Sequence, residues 1–291
     1  MTSATTGKKY GVQKVCQVWN FPRSTFYDQK QRVEPTERQG SPKGCPDDLL
    51  VERIRLIIEE SPFLDEGYRK VWARLRHAGF RTSKKRVRRL MREHNLQATQ
   101  RPRRNGGERV HDGRITTDIP DEMWGMDATS TVTIEEGTAT IFIAVDHCTQ
   151  ECVGIHASKS AKADQALEPL RQAMRHSFDA YEEKAGLGLS IRHDHGSQYI
   201  SRTFQDELRF LGITSTPSFV AEPQCNGVSE RFIKTLKEQL LHVFYFQTIE
   251  DLRKDLIHFK ERYNAEWLVQ KHNYQTPNQV RESFLTNKKV A

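Results

Sequence analysis

The apolar and polar positions of this chain fall into two regimes. From Trp124 to Ile134 the chain includes an alternating run, Thr131, Val132, Thr133 and Ile134, which predicts the first strand of an antiparallel hairpin turning at Glu135 to Gly137. A second strand is expected over Thr138 to Asp146 and a third over Cys152 to Ala157. Helical spacing then predicts a helix from about Lys162 to Lys184, a strand over Leu189 to Asp194, a further helix and a short strand. After the turn-rich Pro223 to Gly227, Phe232, Ile233, Leu236, Leu240 and Leu241 recur at helical spacing, and Leu252, Leu256 and Phe259 mark another helix over Ile249 to Tyr263. Three meandering strands followed by alternating helix and strand predict an α/β fold with a mixed sheet.

Upstream the period is helical throughout. Val12, Val15, Cys16 and Trp19 share one face before Phe21-Pro22 leads into RSTFYDQK, the outline of a small helix-turn-helix over residues 11 to 30. Residues 31 to 47, rich in proline and glycine, are expected to form a linker. Leu50, Ile54, Ile57 and Ile58 then form one stripe, and Tyr68 to Ala78 a second helix ending at Gly79. Ser83 is placed to cap a third helix with Val87, Leu90 and Met91 inside and Lys85, Arg88, Arg89 and Arg92 on the opposite face. Apolar residues are then scarce from Thr99 to Pro120, a basic linker holding Arg101, Arg103 and Arg104. The expected division is therefore 1–47, 48–98, 99–120, a core over 121–245 and a helical tail over 246–291.

Charge sharpens this division. Residues 1–120 carry 26 Lys and Arg against 14 Asp and Glu, and the remainder 19 against 24, so +12 precedes −5. A basic first portion joined to a mildly acidic second suggests polyanion anchoring in one and chemistry in the other. No run of about 18 apolar residues and no apolar leader core occur, so the cytoplasm is the expected compartment, with no membrane partner. Five scattered cysteines without a CxxC pair argue against a disulfide framework, and His147, Cys148, Cys152 and His156 fit no usual zinc spacing.

The candidate chemistry lies in RHDHGSQY, from Arg192, and QCNGVSERFIKTLK, from Gln224. Asp194 ends a short apolar run at the Gly196 turn, which places a carboxylate at a sheet edge. Glu230, Lys234 and Lys237 are expected on one helical face, acid for a metal and ammonium groups for phosphates. Asp127 on the first strand supplies a third acid. Three acids gathered by a fold can hold two Mg²⁺ roughly 3.5 to 4 Å apart, one activating an attacking oxygen and one stabilising the leaving oxygen. Asp146, at the end of the second strand, is the main decoy.

The 35 residues between Asp194 and Glu230, HDHGSQY, Asn226-Gly227, and ERF followed after three residues by LK resemble the bacterial insertion-sequence transposases of the Asp, Asp, Glu class, the product of the second reading frame in two-frame elements. Trp124, three residues before Asp127, matches that family's entry to its first acid. GYRKVWARLRHAGFRTSKKRVRRLMREHNL resembles the helix-turn-helix unit preceding their catalytic core, and VCQVWNFPRSTFY their first helical segment, where Arg23, Ser24 and Thr25 could touch DNA. The resemblance implies a ribonuclease-H-like core similar to retroviral integrase, and Asp127, Asp194 and Glu230 as ligands of two Mg²⁺ or Mn²⁺ ions. It implies cleavage of the element's ends and strand transfer into target DNA, with Lys234 and Lys237 holding the terminal strand. Partners would be double-stranded DNA, further copies of the chain, and the first-reading-frame protein or a frameshift fusion, on the bacterial nucleoid. Two departures stand out: Cys225 replaces the usual Asp or Ser, and Val269-Gln270-Lys271 the usual Arg-Pro. The competing classes are a non-catalytic DNA-binding regulator and a plain metal-dependent nuclease.

Overall fold

The structure, a computed structural model, describes residues 2, 6–31, 45–99, 117–217 and 226–290. The calls on Arg101, Arg103, Arg104 and Cys225, and most of the expected linker over 31–47, lie outside these residues. Two compact units are formed, Met1–Leu49 and Leu50–Ala291.

In the first unit, α1 (Val12–Val18) and α2 (Arg23–Gln31) make the helical pair foreseen from the sequence. Cys16 is buried, but Trp19 is 80% exposed. The helix stops at Val18 with Trp19 as its C-cap, so the indole leaves the expected apolar stripe. So small a pair has little surface with which to cover an indole.

The second unit begins with α3 (Asp47–Glu59, its first residues still in the other unit), α4 (Tyr68–His77) and α5 (Lys84–Glu93). Ser83 caps α5 by accepting a hydrogen bond from the Arg86 N–H at 3.1 Å. Leu50, Ile54, Val71, Leu75, Val87 and Leu90 are buried, which matches the sequence stripes.

A five-stranded mixed sheet follows, ordered β3-β2-β1-β4-β5. Its strands are β1 (Met123–Thr133), β2 (Gly137–Asp146), β3 (Cys152–Ser158), β4 (Ser190–His193) and β5 (Thr214–Pro217). The first three are antiparallel neighbours, while β4 runs parallel to both β1 and β5. Both faces are covered, so β2 holds an unbroken apolar run from Ile141 to Val145 rather than alternating. Ala139, Ile141, Ile143 and Val145 pack under α9 (Gly227–Leu236) and α10 (Ile249–Glu266). Phe142 and Ala144 face α6 (Ala163–Phe178) and α8 (Arg202–Leu211), which follows the short α7 (Ser197–Ile200). The alternation at the end of β1 is inverted from the usual sense, with Val132 and Ile134 about two-thirds exposed and Thr133 buried. Thr133 Oγ1 donates to Gly137 O across the hairpin turn, which satisfies the buried hydroxyl.

The helix expected to reach Lys184 ends at Phe178, because Asp179 adopts a left-handed conformation and the following residues form turns. A second departure is the π-helical turn Lys237–Leu241 that prolongs α9. No helix among the described residues is long and apolar enough to cross a membrane.

The last helix, α11 (Pro277–Val290), is locked to the base of β1 by Arg281. Its guanidinium donates to Asp121 at 2.7 and 3.1 Å and to the buried Glu151, whose other oxygen meets His176 Nε2 at 2.7 Å. Burial alone would raise the Asp121 carboxyl, but the Arg281 hydrogen bonds and charge outweigh it and hold the group below its ordinary value. Arg281→Met, which strands two acids, should cost about 3–5 kcal/mol in urea unfolding at pH 7. An unchanged midpoint would show that the network is dispensable.

Candidate active site

The last registered pair of the parallel β1 and β4 strands is Gly125 with Arg192. Asp127 and Asp194 each follow that pair by two residues, Asp127 within β1 and Asp194 one residue past the end of β4. Asp127 is half-buried, and its Oδ1 accepts from the Ala128 N–H at 2.8 Å. Asp194 is exposed just past the end of β4, and its Oδ1 accepts from the Gly196 N–H at 2.9 Å.

His193 braces this turn from below. Nδ1 is 2.6 Å from Asp194 O, and because a carbonyl only accepts, Nδ1 carries the proton. Nε2 then accepts from Ser215 Oγ at 2.9 Å on β5. Burial pushes the His193 pKa down and favours this neutral form. The fully buried Tyr199 stacks on the imidazole, at 5.4 Å between centroids. Burial, with the Asp127 and Asp194 charges, raises the Tyr199 phenol well above its ordinary value, so the hydroxyl keeps its proton beside the acids.

Glu230 arrives on α9. Asn226 occupies the N-cap of that helix without capping it; its Nδ2 donates instead to Met126 O at 3.0 Å, one residue before Asp127. The helix approaches closely because residue 125 is glycine. A Cβ there would lie 2.3 Å from Ser229 Oγ, 2.5 Å from Asn226 Oδ1 and 2.9 Å from His147 Nε2.

These placements put the three acids in one field. Burial first, then the charges of Asp194 and Glu230, push Asp127 up to about 6, against the lowering effects of the Ala128 N–H and Lys237. Partial burial raises Glu230 as well. Among the described residues, however, no three His, Cys, Asp or Glu side chains stand close enough to enclose an ion. The donor chemistry nevertheless suits a hard divalent cation: carboxylate oxygens only, whose mutual repulsion a cation would relieve.

The two lysines have different neighbours. Lys237 is near enough to Asp127 to lower its pKa, whereas the exposed Lys234 lies 3.9 Å from Glu238 and faces the cleft beside Leu64 and Trp267. On α5, Lys85, Arg88, Arg89 and Arg92 are all exposed, with Arg89 held by Glu93 at 2.8 Å and Arg88 set 5.6 Å from the Tyr68 ring centre. The decoy Asp146 is fully buried and structural, accepting from Thr149 N–H and Oγ1 and from Asp121 N–H. His156 meets Gln165 Oε1 at 3.1 Å.

Sequence reasoning assigned no role to Gly125, Ser229 or Tyr199. The available signal was the glycine inside a strand pattern, MWGMD, which marks a close approach by another element.

The chain matches the HTH-like domain over residues 46–104 and the integrase core domain over 117–223, with a second integrase core match over 211–277. It is 24% identical over 288 residues to the transposase for insertion sequence element IS629 of Shigella sonnei, covering 95% of this chain and 93% of that one. It is likewise 24% identical over 274 residues to transposase InsD for insertion element IS2A/D/F/H/I/K of Escherichia coli, covering 91% and 88%. Among solved structures, the catalytic core domain of BIV integrase aligns with a TM-score of 0.43 at 20% identity, covering 58% of this chain and 99% of that one.

Proposed function

We propose that this chain, which belongs with the insertion-sequence transposases carrying an HTH-like domain and an integrase core, binds the ends of its element through α5 and cuts and joins DNA at Asp127, Asp194 and Glu230. One observation carries the assignment of the acids. Asp127 and Asp194 each follow the last registered pair of the parallel strands β1 and β4 by two residues, and the helix bearing the third acid is hydrogen-bonded to the backbone beside the first.

Divalent ions, Mg²⁺ or Mn²⁺, would be held by these three carboxylates and would supply Lewis-acid activation of attacking and leaving oxygens at a phosphodiester. The chain's own residues do the rest. Lys237 offers a cation to a phosphate beside Asp127, and Lys234, one turn earlier on α9, adds a second positive charge to that helix. His193 and Tyr199 fix the Asp194 turn. Lys85, Arg88, Arg89 and Arg92 line up against duplex phosphates, with Arg101, Arg103 and Arg104 continuing the basic track. Because two ends must be joined, the working form is a homo-oligomer on DNA, with the first-reading-frame protein or a frameshift fusion as further partners. Residues 48–98 form the DNA-reading unit, 121–245 the catalytic core and 246–291 its closing tail.

The test uses purified full-length protein and short duplexes bearing the element's ends. Cleavage and strand transfer should both require Mg²⁺ or Mn²⁺ and both stop with chelator. Binding without either reaction under all metals would make the chain a regulator, and cleavage without joining a nuclease.

A further inference from the structure

The sequence division suggests a DNA-reading unit tethered to a catalytic core by a basic linker. The contacts within the Leu50–Ala291 unit describe something different. Phe63, between α3 and α4, is 3% exposed and belongs to the core cluster of Phe232, Ile233 and Leu236, the inward face of the helix that carries Glu230. Trp267 meets Phe63 edge-on at 4.9 Å between centroids. The neighbouring residue is clamped by its backbone: Leu64 N–H donates to Gln239 Oε1 at 2.8 Å, and Gln239 Nε2 donates back to Leu64 O at 3.0 Å. Gln239 lies in the π-turn Lys237–Leu241 and is only 8% exposed. An α-helix that takes in one extra residue shifts the facing of the side chains beyond it, and such turns collect at functional positions.

A second patch lies along α4. Ala73 packs with Leu268 and Tyr274, Trp72 meets Tyr274 at 5.7 Å, and Arg69 Nη1 donates to Gln270 Oε1 at 3.2 Å. Glu66, nearly buried, takes Arg74, Ser61 and Lys70, while Arg74 also reaches Glu266 O at 3.5 Å. The basic helix α5 rests on this patch too, since Lys84 lies 4.4 Å from the Trp72 ring centre and 5.3 Å from that of Tyr274.

We infer that the helical unit is keyed rigidly into the core by Phe63 and Gln239, so that the base pairs contacted by α5 stand at a fixed distance from the phosphodiester attacked at the acids. Gln239 is thus a positioning residue: it touches no DNA, but it ties the reading helices to the helix of Glu230. The inference rests on the proposed function for its meaning, though not for its geometry.

Two measurements test it. In the first, about five base pairs, half a helical turn, are inserted into an end duplex between the α5 footprint and the cut. A keyed unit still binds this duplex, but cuts at the terminus at least about tenfold less than in the native duplex. Gln239→Ala should bind native ends within about threefold yet lose cleavage by about tenfold or tolerate the insertion, and Gln239→Glu, which can still accept from Leu64 N–H, should fall between. Equal cutting of native and lengthened ends by the wild type overturns the inference. The second measurement needs no DNA. The Leu64 amide should exchange as slowly as the core strands and be released in Gln239→Ala, with the overall fold checked by circular dichroism. Free exchange in the wild type overturns the inference even if the native end is cut. If the native end is neither bound nor cut, the proposed function fails, while the exchange measurement still decides the keying.

Discussion

Asp127→Asn, Asp194→Asn and Glu230→Gln should each abolish cleavage and strand transfer together, by on the order of 10³-fold or more, and leave binding of end duplexes intact. The exchanges keep the shape of each side chain and remove a charge, so α9 should stay docked and α5 should stay exposed. The pH dependence separates this expectation from simple damage. The folded Asp127 carboxyl is pushed up to about 6 from an ordinary 3.8. Folding therefore favours the protonated acid: from this group alone, stability declines as pH rises from about 4 to about 6 and stays lower above that. Asn has no charge to desolvate. Asp127→Asn should thus be more stable than the wild type at pH 8 without divalent ions, by about 1–3 kcal/mol, with the gap closing as pH falls through 6. Mg²⁺ should then raise the melting temperature of the wild type and hardly move that of the variant. An inactive variant that is also less stable at pH 8 would mean that Asp127 supports the fold rather than the chemistry.

Gly125→Ala should be nearly as severe by a different route. The new methyl would meet three polar side-chain atoms, two of them on the α9 side of the contact at 2.3 and 2.5 Å. None can retreat far, since Ser229 is fully buried and Asn226 is tied to Met126 O. The start of α9 must lift from β1, which carries Glu230 away from Asp127. Overpacking of this kind costs about 1–3 kcal/mol, and misplacing a reacting group by about 1 Å costs roughly 100-fold in rate. Cleavage should fall by about that factor while end binding, which depends on α5, is retained. Adding Ser229→Ala removes the nearest clashing atom and should restore part of the activity. Full activity of Gly125→Ala alone would show that α9 does not need this close approach.

Much of this arrangement is legible in the chain because local signals and tertiary structure agree. The strands of the core, the cap at Ser83 and the basic face of α5 each follow from spacing within ten to twelve residues. Asp127 and Asp194 could be placed because each accompanies a strand whose apolar run is plain. What could not be read depends on contacts between distant segments. The π-turn leaves no periodic signature, because one inserted residue only blurs the spacing of Leu236, Leu240 and Leu241. The early end of α6 rests on the left-handed Asp179, a conformation that aspartate tolerates but does not announce. Phe63 looks like an ordinary loop aromatic until the core it enters is assembled.

The hydrogen bond from Asn226 to Met126 O joins residues 100 positions apart. Synthesis runs from the N-terminus, so the reading helices and two of the three acids leave the ribosome well before Glu230 does. On the proposed function, a chain whose synthesis has not reached Asn226 has no complete catalytic site. The order of translation then withholds cutting until α9 has been made and docked, and a product truncated before Asn226 would lack both Glu230 and the partners of Phe63 and Leu64.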